Sequence, residues 1–115
     1  MHFRAVLMTG LVIGFLAACG SSTSPANSCG SSGAAANVNA ESSNSFSPKS
    51  TTILHGQSVC WQNSSTVLHT VTADSGAFDT NLPVGQVFVH PFPTAGTFPY
   101  HCKIHAGMTG TITVN

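Results

Sequence analysis

From about residue 37 onward, apolar and polar positions alternate in short runs, and no run of useful length carries a helical period. The runs are rich in Val, Ile, Thr, Phe and Tyr and are punctuated by Gly, Pro, Asn and Ser, the pattern of strands between turns. They predict strands over 37–41, 51–54, 58–62, 68–73, 86–90, 96–102 and 110–114, with a further short strand near Phe78 in an otherwise irregular segment. Phe46-Ser47-Pro48 reads as a bend with Phe46 in the core, and His55-Gly56-Gln57 as a turn. Val59 and Trp61 share one face of their strand, which leaves Cys60 on the other. Pro91-Phe92-Pro93 interrupts the strand that ends at His90. Strands this short, recurring about every ten residues, predict an all-β fold, an antiparallel Greek-key β-sandwich of about seven to eight strands.

The first residues follow another plan. His2 and Arg4 precede the apolar run from Ala5 to Ala18, which ends in small residues, the layout of a secretory signal over 1–18. The run is shorter than the about 20 residues a membrane span needs. Leu16-Ala17-Ala18-Cys19-Gly20 resembles the bacterial lipobox. That resemblance implies that Cys19 becomes a lipid-carrying N-terminus. Residues 19–36 are mostly Ser, Gly, Ala and Asn, which predicts a flexible tether. The folded domain is then 37–115. The protein is expected to be exported and lipid-anchored, on the periplasmic side of an outer membrane or at the cell surface.

Charge narrows the partners. The chain has three Lys or Arg residues and three Asp or Glu residues in 115. No basic patch exists for nucleic acid, and no strong field exists to steer a charged partner.

The chemistry concentrates in Tyr100-His101-Cys102-Lys103-Ile104-His105-Ala106-Gly107-Met108. A thiolate, an imidazole and a thioether stand at Cys-x-x-His-x-x-Met spacing. Cys-x-x-His alone also occurs in zinc sites. With the Met, and with His69 upstream in Leu68-His69-Thr70-Val71, the donors are those that copper takes when it cycles between Cu(I) and Cu(II). The predicted ligands of one copper ion are His69, Cys102, His105 and Met108.

These residues resemble those of the cupredoxins, of the plastocyanin and amicyanin type. The resemblance runs from about Val38 to Val114 and rests on four stretches: Phe46-Ser47-Pro48; Gly56 to Asn63; His69-Thr70-Val71; and Gly96 to Gly110, with the short ligand loop of amicyanin. It implies a type 1 blue copper site and one-electron transfer by a carrier rather than an enzyme. The Thr70 N–H is then expected on the Cys102 sulfur, and Asn63 is expected to pin the His69 loop to the Cys102 strand. Redox donor and acceptor proteins would dock transiently near His105, whose equivalent in the family is exposed and ringed by apolar residues. Cys60 and the scarcity of charge depart from the family pattern.

The other candidates weigh less. His55 is expected in an exposed turn, and His90 on the surface of a strand. His101 points away from Cys102 across its strand. In multicopper enzymes a His beside the Cys ligand binds a second copper, so an oligomeric reductase or oxidase is an alternative, as is a copper-delivery module. Cys29 and Cys60 remain as a possible disulfide in an oxidising compartment; the position of Cys29 within the tether counts against it.

Overall fold

A computed structural model describes residues 28–115. The predicted signal, the lipid site Cys19 and the tether up to residue 27 lie outside the described residues. Among the described residues nine strands form: β1 Ala36–Glu41, β2 Ser45–Ser47, β3 Ser50–Ile53, β4 Gln57–Asn63, β5 His69–Ala73, β6 Asp79–Leu82, β7 Val87–Phe92, β8 Gly96–His101 and β9 Thr109–Val114. They make two sheets, ordered β2-β1-β4-β7 and β3-β9-β8-β5-β6.

Strand direction, strand count and the end of β7 depart from the sequence expectation. Both sheets are mixed, because β1 runs parallel to β4 and β3 parallel to β9. The strand count rises to nine because the expected bend at Phe46 is itself a short strand paired with β1, and Asp79–Leu82 pairs fully with β5. Pro91 does not stop β7, which continues to Phe92. It sits on an edge strand, where a missing N–H leaves no ladder bond broken on the open side.

The core fills the space between the sheets. Trp61 is fully buried at its centre, its ring 5.4 Å from Tyr100 and 5.6 Å from both Phe78 and Phe88. Tyr100 packs edge-on against Phe46 at 4.8 Å, and burial pushes its hydroxyl pKa up to about 12. Gly110 is bare for a reason: a Cβ there would lie 2.4 Å from the Tyr100 ring. This wedge fixes β9 against β8, and the loop between these two strands carries the site.

The expected tether is not loose throughout. Cys29–Ser31 forms a short 3-10 turn, and Cys29 is bonded to Cys60 as a disulfide. The Cys29 N–H donates to Gln62 Oε1 at 3.1 Å, and the Ala35 N–H to the Ser58 carbonyl at 2.9 Å. Cys60 faces away from the inter-sheet core, as the alternation requires, yet it is fully buried because the turn lies over it. The segment 28–35, expected in the tether, is therefore tied to β4 by the disulfide and these bonds.

Candidate metal centre

The register Thr72↔His101 sets β5 beside β8. On β5, Val71 and Ala73 face the core, and His69 shares their face at the strand's start. On β8, Tyr100 faces inward, and so does Cys102 just past the strand's end. His69 and Cys102 thus meet at one end of the sandwich, and the loop to β9 brings His105 to them. His69 Nδ1, Cys102 Sγ and His105 Nδ1 form a group whose ligand atoms all lie within 4.8 Å of one another. The sulfur is 3.4 Å from His105 Nδ1 and 4.0 Å from His69 Nδ1, and the two nitrogens are 3.1 Å apart.

Backbone bonds close the loop. The Cys102 N–H donates to the Met108 carbonyl at 2.9 Å, and the Met108 N–H to the His105 carbonyl at 3.3 Å. Gly107 has φ +77°, the left-handed turn that glycine adopts without strain. It returns Met108 toward the core, where the side chain is buried.

Each donor has partners of its own. The Thr70 N–H points at Cys102 Sγ, 3.3 Å away. His69 Nε2 lies 2.9 Å from Ser65 Oγ. Asn63 does not reach the Cys102 strand as expected. Its amide N–H groups donate to the carbonyls of Val67 and Leu82, both at 2.8 Å, so it ties the His69 loop to itself and to β6. The reason is register: Asn63 ends β4 across from the start of β7, next to the β6–β7 turn rather than β8.

A second set of bonds holds the far side of the loop. The Lys103 N–H donates to Thr70 Oγ1 at 2.8 Å, Thr70 and Thr72 hydroxyls meet at 3.2 Å, and Thr72 donates to Asp79 at 2.9 Å. The Lys103 ammonium returns to the other Asp79 oxygen at 2.9 Å. These bonds form a closed ring around Thr70. Lys103, the Thr72 hydroxyl and further interactions hold the Asp79 carboxyl below its usual pKa range, the Lys103 hydrogen bond contributing most.

Burial lowers the pKa of His69 and the facing His105 lowers it further, outweighing a main-chain hydrogen bond with Glu41 that raises it. A neutral imidazole can ligate, whereas a protonated one cannot. Cys102 is buried and is the free cysteine among the described residues. One cysteine sulfur, two imidazole nitrogens and the thioether of Met108 on the same loop are the donor set that suits copper in both oxidation states. The site residues therefore fit a single copper ion.

The other histidines among the described residues lie elsewhere. His101, on the outer face of β8, meets Asp74 at 2.6 Å. His55 is exposed in its turn, with Nδ1 3.0 Å from the Asn115 carbonyl. His90, expected on the surface of its strand from its place before Pro91, is half-buried instead. It turns inward with Phe88 and Phe92, packs 4.7 Å from Phe78, and has its pKa lowered by burial. Ser65, Thr72 and Asp79 were not singled out by the sequence reading. They belong to no motif, and only the fold brings them to the site.

The cupredoxin-like domain profile matches residues 10–114. A plastocyanin from Scenedesmus fuscus is 39% identical over 84 residues, an alignment covering 60% of this chain and 85% of the relative. The chain belongs to the cupredoxin family. Among solved structures, a purple cupredoxin from Nitrosopumilus maritimus superposes with a TM-score of 0.65 at 26% identity, covering 70% of this chain and 99% of that one. Amicyanin from Paracoccus versutus shares the fold, with a TM-score of 0.63 at 24% identity over 70% of this chain and 80% of its own. A copper-containing nitrite reductase from Thermus scotoductus also superposes, with a TM-score of 0.64 at 26% identity. There the match covers 70% of this cupredoxin but 22% of the reductase chain.

Proposed function

We propose that this cupredoxin is a type 1 blue copper protein that shuttles single electrons, working outside the cytoplasm and held to a membrane by lipid on Cys19. The observation that carries the first half is the convergence of the His69, Cys102 and His105 donor atoms within 4.8 Å. In this reading those three residues would hold one copper ion, with Met108 as a weaker fourth donor. The bound ion supplies a one-electron Cu(I)/Cu(II) couple. The chain supplies rigidity. Ser65 holds the His69 ring, the Thr70 N–H holds the Cys102 sulfur, and the Asp79–Lys103 ring holds the loop. Donors fixed in advance rearrange little when charge changes, which keeps the barrier to transfer low.

His105 is the port in this reading. It is only partly buried, and its neighbour Ile104 is 51% exposed. Val67 and Leu68, just before His69, are 44% and 42% exposed. An uncharged apolar rim suits a small, transient interface with a redox partner protein, and its binding should depend only weakly on salt. Copper loading should reach one equivalent per chain and produce an intense visible absorption. A His105→Gly variant should transfer electrons more slowly and recover when imidazole is added. Full transfer rates in that variant without imidazole would exclude His105 as the port.

The likeness to a nitrite reductase favours a second reading, a copper domain of an oligomeric enzyme. It would need further copper, with His101 as the nearest spare imidazole. Two or more copper equivalents per chain would support it.

Export is supported by the signal-like residues 1–18 and by the Cys29–Cys60 disulfide, a bond that persists in oxidising compartments. Cys19→Ser should move the protein from the membrane fraction to the soluble one. Retention of that variant in membranes would overturn the lipid anchor.

A further inference from the structure

The hydrogen bonds behind His69 have a direction that can be read residue by residue. Asn63 Nδ2 faces two carbonyls, those of Val67 and Leu82, each 2.8 Å away. Carbonyls only accept, so the amide orientation is fixed and Oδ1 must point the other way. There Oδ1 accepts the Ser65 N–H at 2.9 Å and meets the Ser65 hydroxyl at 2.7 Å. Oδ1 has no proton to give, so the hydroxyl donates. The other oxygen near Ser65 Oγ is the Val67 carbonyl at 3.0 Å, which also only accepts. A serine hydroxyl carries one proton, and both oxygens compete for it. Toward His69 Nε2, at 2.9 Å, Ser65 Oγ is therefore left as an acceptor. Nε2 must carry the ring's hydrogen, and Nδ1 is bare.

We propose that Ser65 is a positioning residue that sets the tautomer of His69, so that a bare Nδ1 lone pair faces Cys102 and His105 before any metal arrives. The 3.1 Å contact between the two Nδ1 atoms then has one assignment. The hydrogen between the rings belongs to His105, and His69 accepts it. The buried imidazole is preset by Ser65 and Val67 of its own loop and by Asn63 at the end of β4, while the partly exposed one adapts. The value of this arrangement as a copper site rests on the function proposed above; the tautomer itself does not.

The test reads the rings directly. Long-range nitrogen–proton NMR of the metal-free protein, with histidine nitrogens labelled, should show His69 protonated at Nε2 and His105 at Nδ1. Ser65→Ala should convert His69 to a mixture of tautomers, and Ser65→Thr, which keeps the hydroxyl, should restore the single form. Cu(I) affinity, measured by competition with a chelator, should fall about 10–100-fold in Ser65→Ala, the usual cost of losing an outer partner of a ligand. A His69 ring protonated at Nδ1 in the metal-free wild type would overturn the proposal, and this reading stands even if Ser65→Ala fails to fold. An unchanged tautomer in a folded Ser65→Ala would also overturn it. Wild-type protein with the Nε2–H tautomer but no affinity for Cu(I) would uphold the tautomer and defeat the copper-carrier reading instead.

Discussion

Cys102→Ser will abolish the intense visible absorption of the copper-loaded protein and leave the fold in place. The two side chains differ in one atom, and that atom decides the ion. Thiolate sulfur is the soft donor that stabilises Cu(I) and gives the Cu(II) form its colour; an alcohol oxygen is a hard, weak donor at neutral pH. Cys102 is buried, and the Thr70 N–H points at its sulfur. A serine oxygen can accept the same N–H, so the metal-free variant should lose only about 1 kcal/mol of stability. Far-UV circular dichroism and denaturant unfolding of the metal-free protein check the second part, and an absorption spectrum after copper addition checks the first. Persistence of the full colour would mean that Cys102 is not the sulfur on the metal.

The gathering of His69, Cys102 and His105 was legible in the sequence, and the bonds that hold them were not. Cys102, His105 and Met108 sit on one short loop, so their spacing alone nearly determines their proximity. His69 was found because it opens a run that reads as a strand. Its partner Ser65 was not. A serine four positions before a histidine in a polar loop has no periodicity to mark it, and its role depends on where Asn63 Oδ1 points. The same limit explains the misplacement of Asn63: its side chain was expected on the Cys102 strand, but its bonds go to Val67 and Leu82.

Strand direction was also beyond the pattern. Alternation tells which face a residue takes, and it is the same whether the neighbour runs parallel or antiparallel. The sequence therefore carries no sign that Val38 pairs with Trp61 in parallel, or Thr51 with Ile112. His90 was misjudged for a related reason. Its strand alternates Val87, Phe88, Val89, His90, but only the packed sandwich shows that the Phe88 face, which His90 shares, is the inner one.

Removing the disulfide should do the opposite of removing the Cys102 thiol: it should cost stability and leave the colour. Cys29 and Cys60 are 31 positions apart. Closing a loop of that size restricts the unfolded chain by about 4 kcal/mol in the chain-entropy model. The double variant Cys29→Ser, Cys60→Ser should therefore unfold at markedly lower denaturant, with a melting temperature lower by on the order of 20 °C for a domain this small. The same bond seats the 3-10 turn over β4, so the backbone from Ser28 to Ala35 should lose its protection against hydrogen exchange. The copper site should not notice. Cys60 points to the outer face of β4, while His69 and Cys102 lie on the inner faces of the opposite sheet. The shared element is β4 itself, whose last residue, Asn63, anchors the loop that carries Ser65. An unfolding midpoint within about 1 kcal/mol of wild type would show that the bond adds little beyond the strand pairing. A changed visible spectrum would show instead that strain in β4 reaches His69 through Asn63 and Ser65, coupling the middle of the strand to the site.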